Sequence, residues 1–135
     1  MLDKELLLKD LCARLPYGVM ATSYVKVDGF IVQGKISSTY PFGEGTVNIG
    51  MVIVPIEKIK PYLRPMSSMT EDERVDFRVI GGVMSYNLQN DSWAISAFTP
   101  EAYDWLNAHH FDYRGLIEKG LAIEALDGMY NLNEK

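Results

Sequence analysis

Asp28-Gly29 lies between two runs rich in β-branched and aromatic residues, 19–27 and 30–36. A two-residue Asp-Gly between such runs is the strongest short-range hairpin signal, because a type I′ turn requires positive φ at both central positions. It predicts an antiparallel pair early in the chain and so constrains the sheet that later strands must join. Pro41, Gly43 and Gly45 mark a loop, and 47–54 reads as a third, buried strand. Gly50 inside that strand points to a bulge or a close backbone approach.

Helical signals frame these strands. Leu8, Leu11, Cys12 and Leu15 fall at i, i+3, i+4 and i+7, an apolar stripe on a helix over 3–15 that Pro16 ends. On this reading Cys12 is a small buried apolar side chain rather than a reactive thiol. Residues 55–65, with prolines at 55, 61 and 65, read as a connector holding at most one helical turn. Thr70-Glu71-Asp72-Glu73 is a capping box, predicting a helix over 71–79 that Gly81-Gly82 stops. Residues 83–88 and 93–98 form a second hairpin candidate around 90–92. Thr99-Pro100-Glu101 starts a helix that runs to His109. A short helix over 113–119, a closing strand over 121–126 and a frayed end at 131–135 complete the chain.

Strands therefore come in runs rather than alternating with helices, which gives an α+β domain with antiparallel pairing over residues 1–135. A helix followed by bent antiparallel strands suggests a small SH3-like or Sm-like barrel in the first half, with an N-terminal helix and a C-terminal helical pair around it. The length suits one domain.

Thirteen Lys and Arg against eighteen Asp and Glu leave a net charge of −5. That balance argues against non-specific binding to nucleic acid or an anionic membrane. Cys12 is the single cysteine, so neither an intramolecular disulfide nor a thiolate zinc cage can form. The first residues lack the pattern of a secretory signal, and no apolar run approaches the roughly 20 residues of a membrane span. A cytoplasmic location is expected, with no cofactor, no metal and no membrane partner.

Three blocks, LLLKDLCARLPYGV at 6–19, PIEKIKPYLRPMSSMT at 55–70 and WLNAHHFDYRGLIEKGLA at 105–122, together under half of the chain, carry a family resemblance. They resemble small uncharacterised proteins encoded by phages, prophages and mobile elements of anaerobic gut bacteria. The resemblance implies a mobile-element origin and transfers no activity, cofactor or functional residue.

No motif supplies a nucleophile with its base, a metal cage or a phosphate cradle. The expected role is a non-enzymatic accessory protein that binds another protein. Tyr40 and Phe42 in a glycine-rich loop, with Tyr113 and Arg114 at a helix corner, are the candidate contact residues, since loop aromatics and Arg supply binding hot spots. Asp112 is placed to cap the next helix, and Arg114 to pair with Asp112 or Glu118. The first alternative is a nucleic-acid-binding barrel that presents Lys58, Lys60, Tyr62 and Arg64, an aromatic for stacking among cations for phosphates. The second is an enzyme using His109, His110 and Asp112. Against it, adjacent helical side chains point about 100° apart and cannot chelate from one face. His109 follows Trp105 at helical spacing and suits packing beneath it, and His110 suits a helix C-terminus. A homodimer through an edge strand in 82–98 stays open.

Overall fold

The computed structural model describes residues 3–24, 26, 29–39, 46–49, 52–87, 92–97, 99–126 and 128–130. In chain order they form α1 (Asp3–Arg14), β1 (Met20–Ser23), β2 (Gln33–Thr39), β3 (Thr46–Ile49), β4 (Val52–Pro55), β5 (Ile59–Leu63), α2 (Glu71–Val79), β6 (Gly82–Asn87), β7 (Ser92–Ala97), α3 (Pro100–Ala108) and β8 (Ile123–Glu124). Short 3₁₀ turns stand at Leu15–Tyr17, Ile56–Lys58 and Met66–Ser68. The class is α+β. No helix among the described residues is long and apolar enough to cross a membrane.

Six strands make one sheet in the order β4-β3-β2-β1-β5-β8, antiparallel throughout except for the parallel β5–β8 pair. The sheet is open rather than closed into the expected barrel. Its last strand offers only two residues, Ile123 and Glu124, against Tyr62 and Leu63, and the strand expected over 121–126 shortens to that pair.

β1 and β2 pair antiparallel, as the Asp28-Gly29 signal requires, but in a different register. A turn centred on 28–29 would set Thr22 opposite Lys35. Instead Met20 faces Lys35 and Thr22 faces Gln33. The shift is two residues, so each side chain keeps its face of the pleat. A side-chain bond fixes this register: Ser23 donates its amide to the Val32 carbonyl, and its hydroxyl accepts from the Val32 amide at 2.8 Å. Asp28 itself lies outside the described residues.

Two further expectations change in this sheet. The single strand read over 47–54 is a hairpin, with Ile49 opposite Val52. Gly50 lies outside the described residues, between the two strands. The connector read over 55–65 does contain one helical turn, but it continues as β5, an interior strand between β1 and β8. Pro61 is tolerated inside it because the β8 ladder begins only at Tyr62, leaving one side of the strand without hydrogen bonds to lose.

α1 packs on this sheet through a face other than the predicted stripe. Leu7, Asp10, Leu11 and Arg14 are buried, whereas Cys12 is exposed and Leu8 only half-buried. The helix is turned so that an i, i+4 ion pair faces inward, with Arg14 Nε 2.8 Å from Asp10 Oδ2. Leu7 and Leu11 join Val19, Ala21, Ile36, Ile56, Ile59 and Leu63 in the main core.

The other unit is β6 and β7, a two-stranded antiparallel sheet in the predicted hairpin, with α2 and α3 against it. Both helices start as their sequences dictate. Thr70 and Glu73 form the reciprocal capping box of α2, and the Thr99 hydroxyl accepts from the Ala102 amide ahead of Pro100. Met69, Phe77, Ala102, Leu106 and Phe111 form their core. The helix expected over 113–119 is instead a series of turns. Its opening amides, those of Leu116 and Ile117, donate to the two oxygens of Asp112 at 2.8 and 2.9 Å, which leaves the capping role intact without a regular helix.

Gly82 is where the hairpin meets α2. A Cβ there would stand 2.2 Å from ring carbons of Phe77, which is itself buried. Gly82→Ala is expected to lower the free energy of urea unfolding by about 2 kcal/mol through overpacking.

Candidate functional site

α1, the 3₁₀ turn at Ile56–Lys58 and the start of β5 converge on a groove of about 300 Å³. Its floor is apolar, from Leu7, Ile56, Ile59 and Leu121. Pro55, with φ −60° and ψ 140°, directs the chain off β4 into the turn, which buries Ile56 and sends Glu57 and Lys58 to the surface. On the rim Lys4 and Glu57 pair at 2.9 Å, both about half exposed. The hydrogen bond from Lys4 holds the Glu57 carboxyl below its usual range. The Tyr24 hydroxyl donates to the Glu57 carbonyl, and Lys60 Nζ lies 4.8 Å from the centre of the Tyr24 ring. Among the described residues no histidine or cysteine lines the groove.

The basic run divides among different environments. Lys58 is exposed, and Lys60 stands on the groove rim. Tyr62 is buried. Arg64 forms a bidentate pair with Glu73, at 2.8 and 2.7 Å, and stacks 4.1 Å from the Phe111 ring centre. Burial opposes ionisation of Glu73, but hydrogen bonds from Arg64 and the Thr70 amide hold its carboxyl below the usual range. Thus one of the three cations in the run is neutralised, and its aromatic is withdrawn from solvent.

Tyr113 and Arg114 belong to a cluster around Asp10. Arg14 reaches Asp10 through Nε and through Nη2, at 2.8 and 3.1 Å, and Nη2 also donates to the Phe111 carbonyl at 2.6 Å. Arg114 Nη1 donates to Asp10 Oδ1 at 2.7 Å, so its partner is Asp10 and not Asp112 or Glu118. Both guanidiniums lie over Tyr113, 5.5 and 4.6 Å from its centre, and the Tyr113 hydroxyl donates to Asn107 Oδ1 at 3.0 Å. Two arginines share one carboxylate with an aromatic face and a carbonyl, an arrangement that fixes α1 against the segment after α3. Tyr40 and Phe42 lie outside the described residues.

The two histidines pack on different rings. His109 stacks on Trp105 at 4.0 Å, as the helical spacing predicts, and its Nδ1 lies 2.8 Å from the Trp105 carbonyl. His110 follows the end of α3, but not as the cation that such a position favours. It is buried in left-handed backbone, φ 61°, and stacks on Tyr130 at 3.8 Å. Tyr130 is in turn fixed by accepting from the Met20 amide and donating to the Tyr62 carbonyl, both at 2.7 Å. Burial, then the charges of Arg14, His109 and Arg64, push the His110 imidazole down to about 3 against the pull of the Tyr17 backbone. Asp112 is occupied by the two backbone amides. Among the described residues no three His, Cys, Asp or Glu side chains gather as metal ligands.

No protein-family model, curated protein or solved structure matches the chain. Of the features above, the Asp10–Arg14 pair carried a sequence signal in its i, i+4 spacing. The groove carried none, since its lining comes from four separate stretches of chain.

Asp10→Asn leaves two guanidiniums without their shared carboxylate and is expected to cost about 3 kcal/mol or more in urea unfolding. The double change Asp10→Leu with Arg14→Met, which removes both buried charges of the pair, is expected to cost less than Asp10→Asn alone. For His110 the unfolded chain binds a proton near pH 6.5 that the folded chain refuses until about pH 3. Stability from this group is therefore complete above pH 6.5 and lost as pH falls toward 3, with a limiting slope of about 1.4 kcal/mol per pH unit. His110→Asn, which keeps a residue tolerant of positive φ, is expected to flatten the acid limb of a stability–pH curve by close to one proton.

Proposed function

We propose that the protein is a non-enzymatic accessory protein of the cytoplasm, of mobile-element origin, that binds another protein by receiving an apolar group in the groove beneath α1. One observation carries this reading: the floor of Leu7, Ile56, Ile59 and Leu121 is apolar, while on the rim Lys4 and Glu57 satisfy each other. Such a floor favours an apolar group leaving water, and a self-paired rim makes little polar demand on it. Among the described residues the lining offers no nucleophile with a base beside it, which supports binding over chemistry. Its volume lies at the lower bound of pockets that enclose small ligands, about 300 Å³. That suits the anchoring side chain of a partner, with affinity completed by contacts outside the groove.

The alternative with nucleic acid draws less support, because Arg64 is neutralised by Glu73 and Tyr62 is buried. The test is a tagged pull-down from a native-like host with and without nuclease, comparing the natural chain with Leu121→Glu. Leu121 is half-buried, so the change places a charge on the groove floor without emptying the core. The expected result is a stoichiometric protein that survives nuclease and falls by about tenfold with Leu121→Glu, while circular dichroism and melting show an unchanged fold. A partner lost with nuclease would shift the reading to nucleic acid. A partner retained in full by a folded Leu121→Glu chain would place the contact elsewhere.

A further inference from the structure

We infer that two copies of the chain pair edge to edge through β7, antiparallel about a two-fold axis at Ala94, and make one four-stranded sheet in the order β6-β7-β7-β6. Two observations carry it: an edge with none of the usual protection, and a strand whose sequence pattern is alike in both directions.

Open strand edges are ordinarily blunted by charge, proline, a bulge or brevity, because their free amides and carbonyls recruit other strands. Among the described residues the two ends of the six-stranded sheet follow that rule. β8 offers only Ile123 and Glu124, and β4 closes on Pro55, which has no amide to donate. The sheet of β6 and β7 does not follow it. Its ladder runs without a shift from Gly82–Ala97 to Asn87–Ser92, and neither strand holds a charge or a proline. β7 has β6 on one side and, among the described residues, no strand on the other. A two-stranded sheet is also marginal by itself, and further strands supply the pairs it lacks.

The sequence of β7 selects its own copy as the added strand. In an antiparallel ladder hydrogen-bonded and non-hydrogen-bonded pairs alternate, and the two residues of a pair direct their backbone groups alike. Two identical strands therefore pair about a two-fold that passes through a residue, not between two residues. Centred on Ala94, Ser92-Trp93-Ala94-Ile95-Ser96 is hydroxyl, large apolar, methyl, large apolar, hydroxyl in either direction. Ser92 then stands opposite the second copy's Ser96, Trp93 opposite its Ile95, and Ala94 opposite itself. Hydroxyl pairs and aromatic–β-branched pairs are among those that stabilise a ladder. β6 has no such centre: about Ser85 it sets Val83 opposite Asn87, and about Met84 it sets Gly82 opposite Tyr86. Charge suits the same partner. Each copy carries a net −5, yet β7 carries no charge, so no like charges face each other across the axis. The contact closes on itself, as a two-fold interface does, and uses the same strand on both copies.

The test measures mass and register on the full chain. The natural chain is expected to sediment as a dimer. Ala94→Lys, which sets two like charges opposite each other at the axis, is expected to sediment as a monomer with an unchanged circular dichroism spectrum. A natural chain that stays monomeric up to about 100 μM would overturn the pairing. So would a dimer that a folded Ala94→Lys chain retains, or an assembly larger than a dimer. Register is read from single cysteines after Cys12→Ser, since Cys12 is exposed. Residue 94 faces its own copy at a Cα separation of about 4.5–5.5 Å, within reach of a disulfide. Ala94→Cys is therefore expected to give a covalent dimer on mild oxidation. Residue 96 lies four residues, about 13 Å, along the strands from its own copy, so Ser96→Cys is expected to cross-link about tenfold more slowly. Equal rates for the two cysteines, or no cross-link at residue 94, would overturn the two-fold at Ala94. The cysteine pair decides the matter should Ala94→Lys not fold.

Discussion

The ion pair between Asp10 and Arg14 joins the two halves of the molecule. Both side chains are fully buried, which is expensive unless hydrogen bonds compensate. The Asp10 carboxylate is supplied by Arg14 and Arg114, and Arg14 spends a second bond on the Phe111 carbonyl. Phe111 belongs to the core of α2 and α3, whereas α1 covers the six-stranded sheet. Charge therefore bridges two apolar cores that share few side chains. Arg64 reinforces the seam: its amide donates to the His110 carbonyl at 2.7 Å, and its carbonyl accepts from the Asp112 amide at 2.8 Å. A buried polar network gains little net stability over an apolar one, but it tolerates few alternative geometries. The register of α1 on the sheet is the geometry it selects.

That register produces the groove. With Asp10 and Arg14 inward, the buried face of α1 runs through Leu7, Leu11 and Arg14. Lys4 lies one turn before Leu7 on the same face, and so arrives at the rim beside Glu57 while Leu7 forms part of the floor. Had the helix buried the stripe of Leu8, Leu11 and Cys12, Leu7 would have turned toward the helix flank and Lys4 away from Glu57. The groove at one end of α1 is thus set by an ion pair at the other, two turns away.

Most of the elements were legible because their signals are local. The capping box at Thr70 and the Thr99-Pro100 start follow from short-range chemistry and are found where the sequence puts them, while the second hairpin forms one residue earlier than read, with Ser92 in a strand rather than the turn. The sequence misleads where a long-range partner decides. Apolar periodicity on α1 ranks Cys12 above Asp10 and Arg14, since nothing within the helix tells that the Phe111 carbonyl and Arg114 will bond to them. Prolines argue against a strand at 59–63, because the shortness of β8 that excuses Pro61 is set some sixty residues later. The Asp28-Gly29 signal gave the partner strands but not their register, which the Ser23–Val32 bonds set two residues away.

The candidate residues follow the same division. His109 was legible because its partner, Trp105, is one helical turn away. His110 and Tyr113 were not, because their environments are built by Tyr130 and by α1. The run Lys58, Lys60, Tyr62, Arg64 looks continuous along the sequence, but a strand cannot keep it so. Lys60, Tyr62 and Arg64 share one face of β5 and its extension, and that face crosses from the groove rim through the sheet interior to the α2 capping box. Each side chain meets what lies over it: Tyr24 for Lys60, Gln33 for Tyr62, Glu73 for Arg64. Of the three, only Lys60 keeps an ammonium that is half-exposed and without a carboxylate partner among the described residues, and it does so beside an apolar floor.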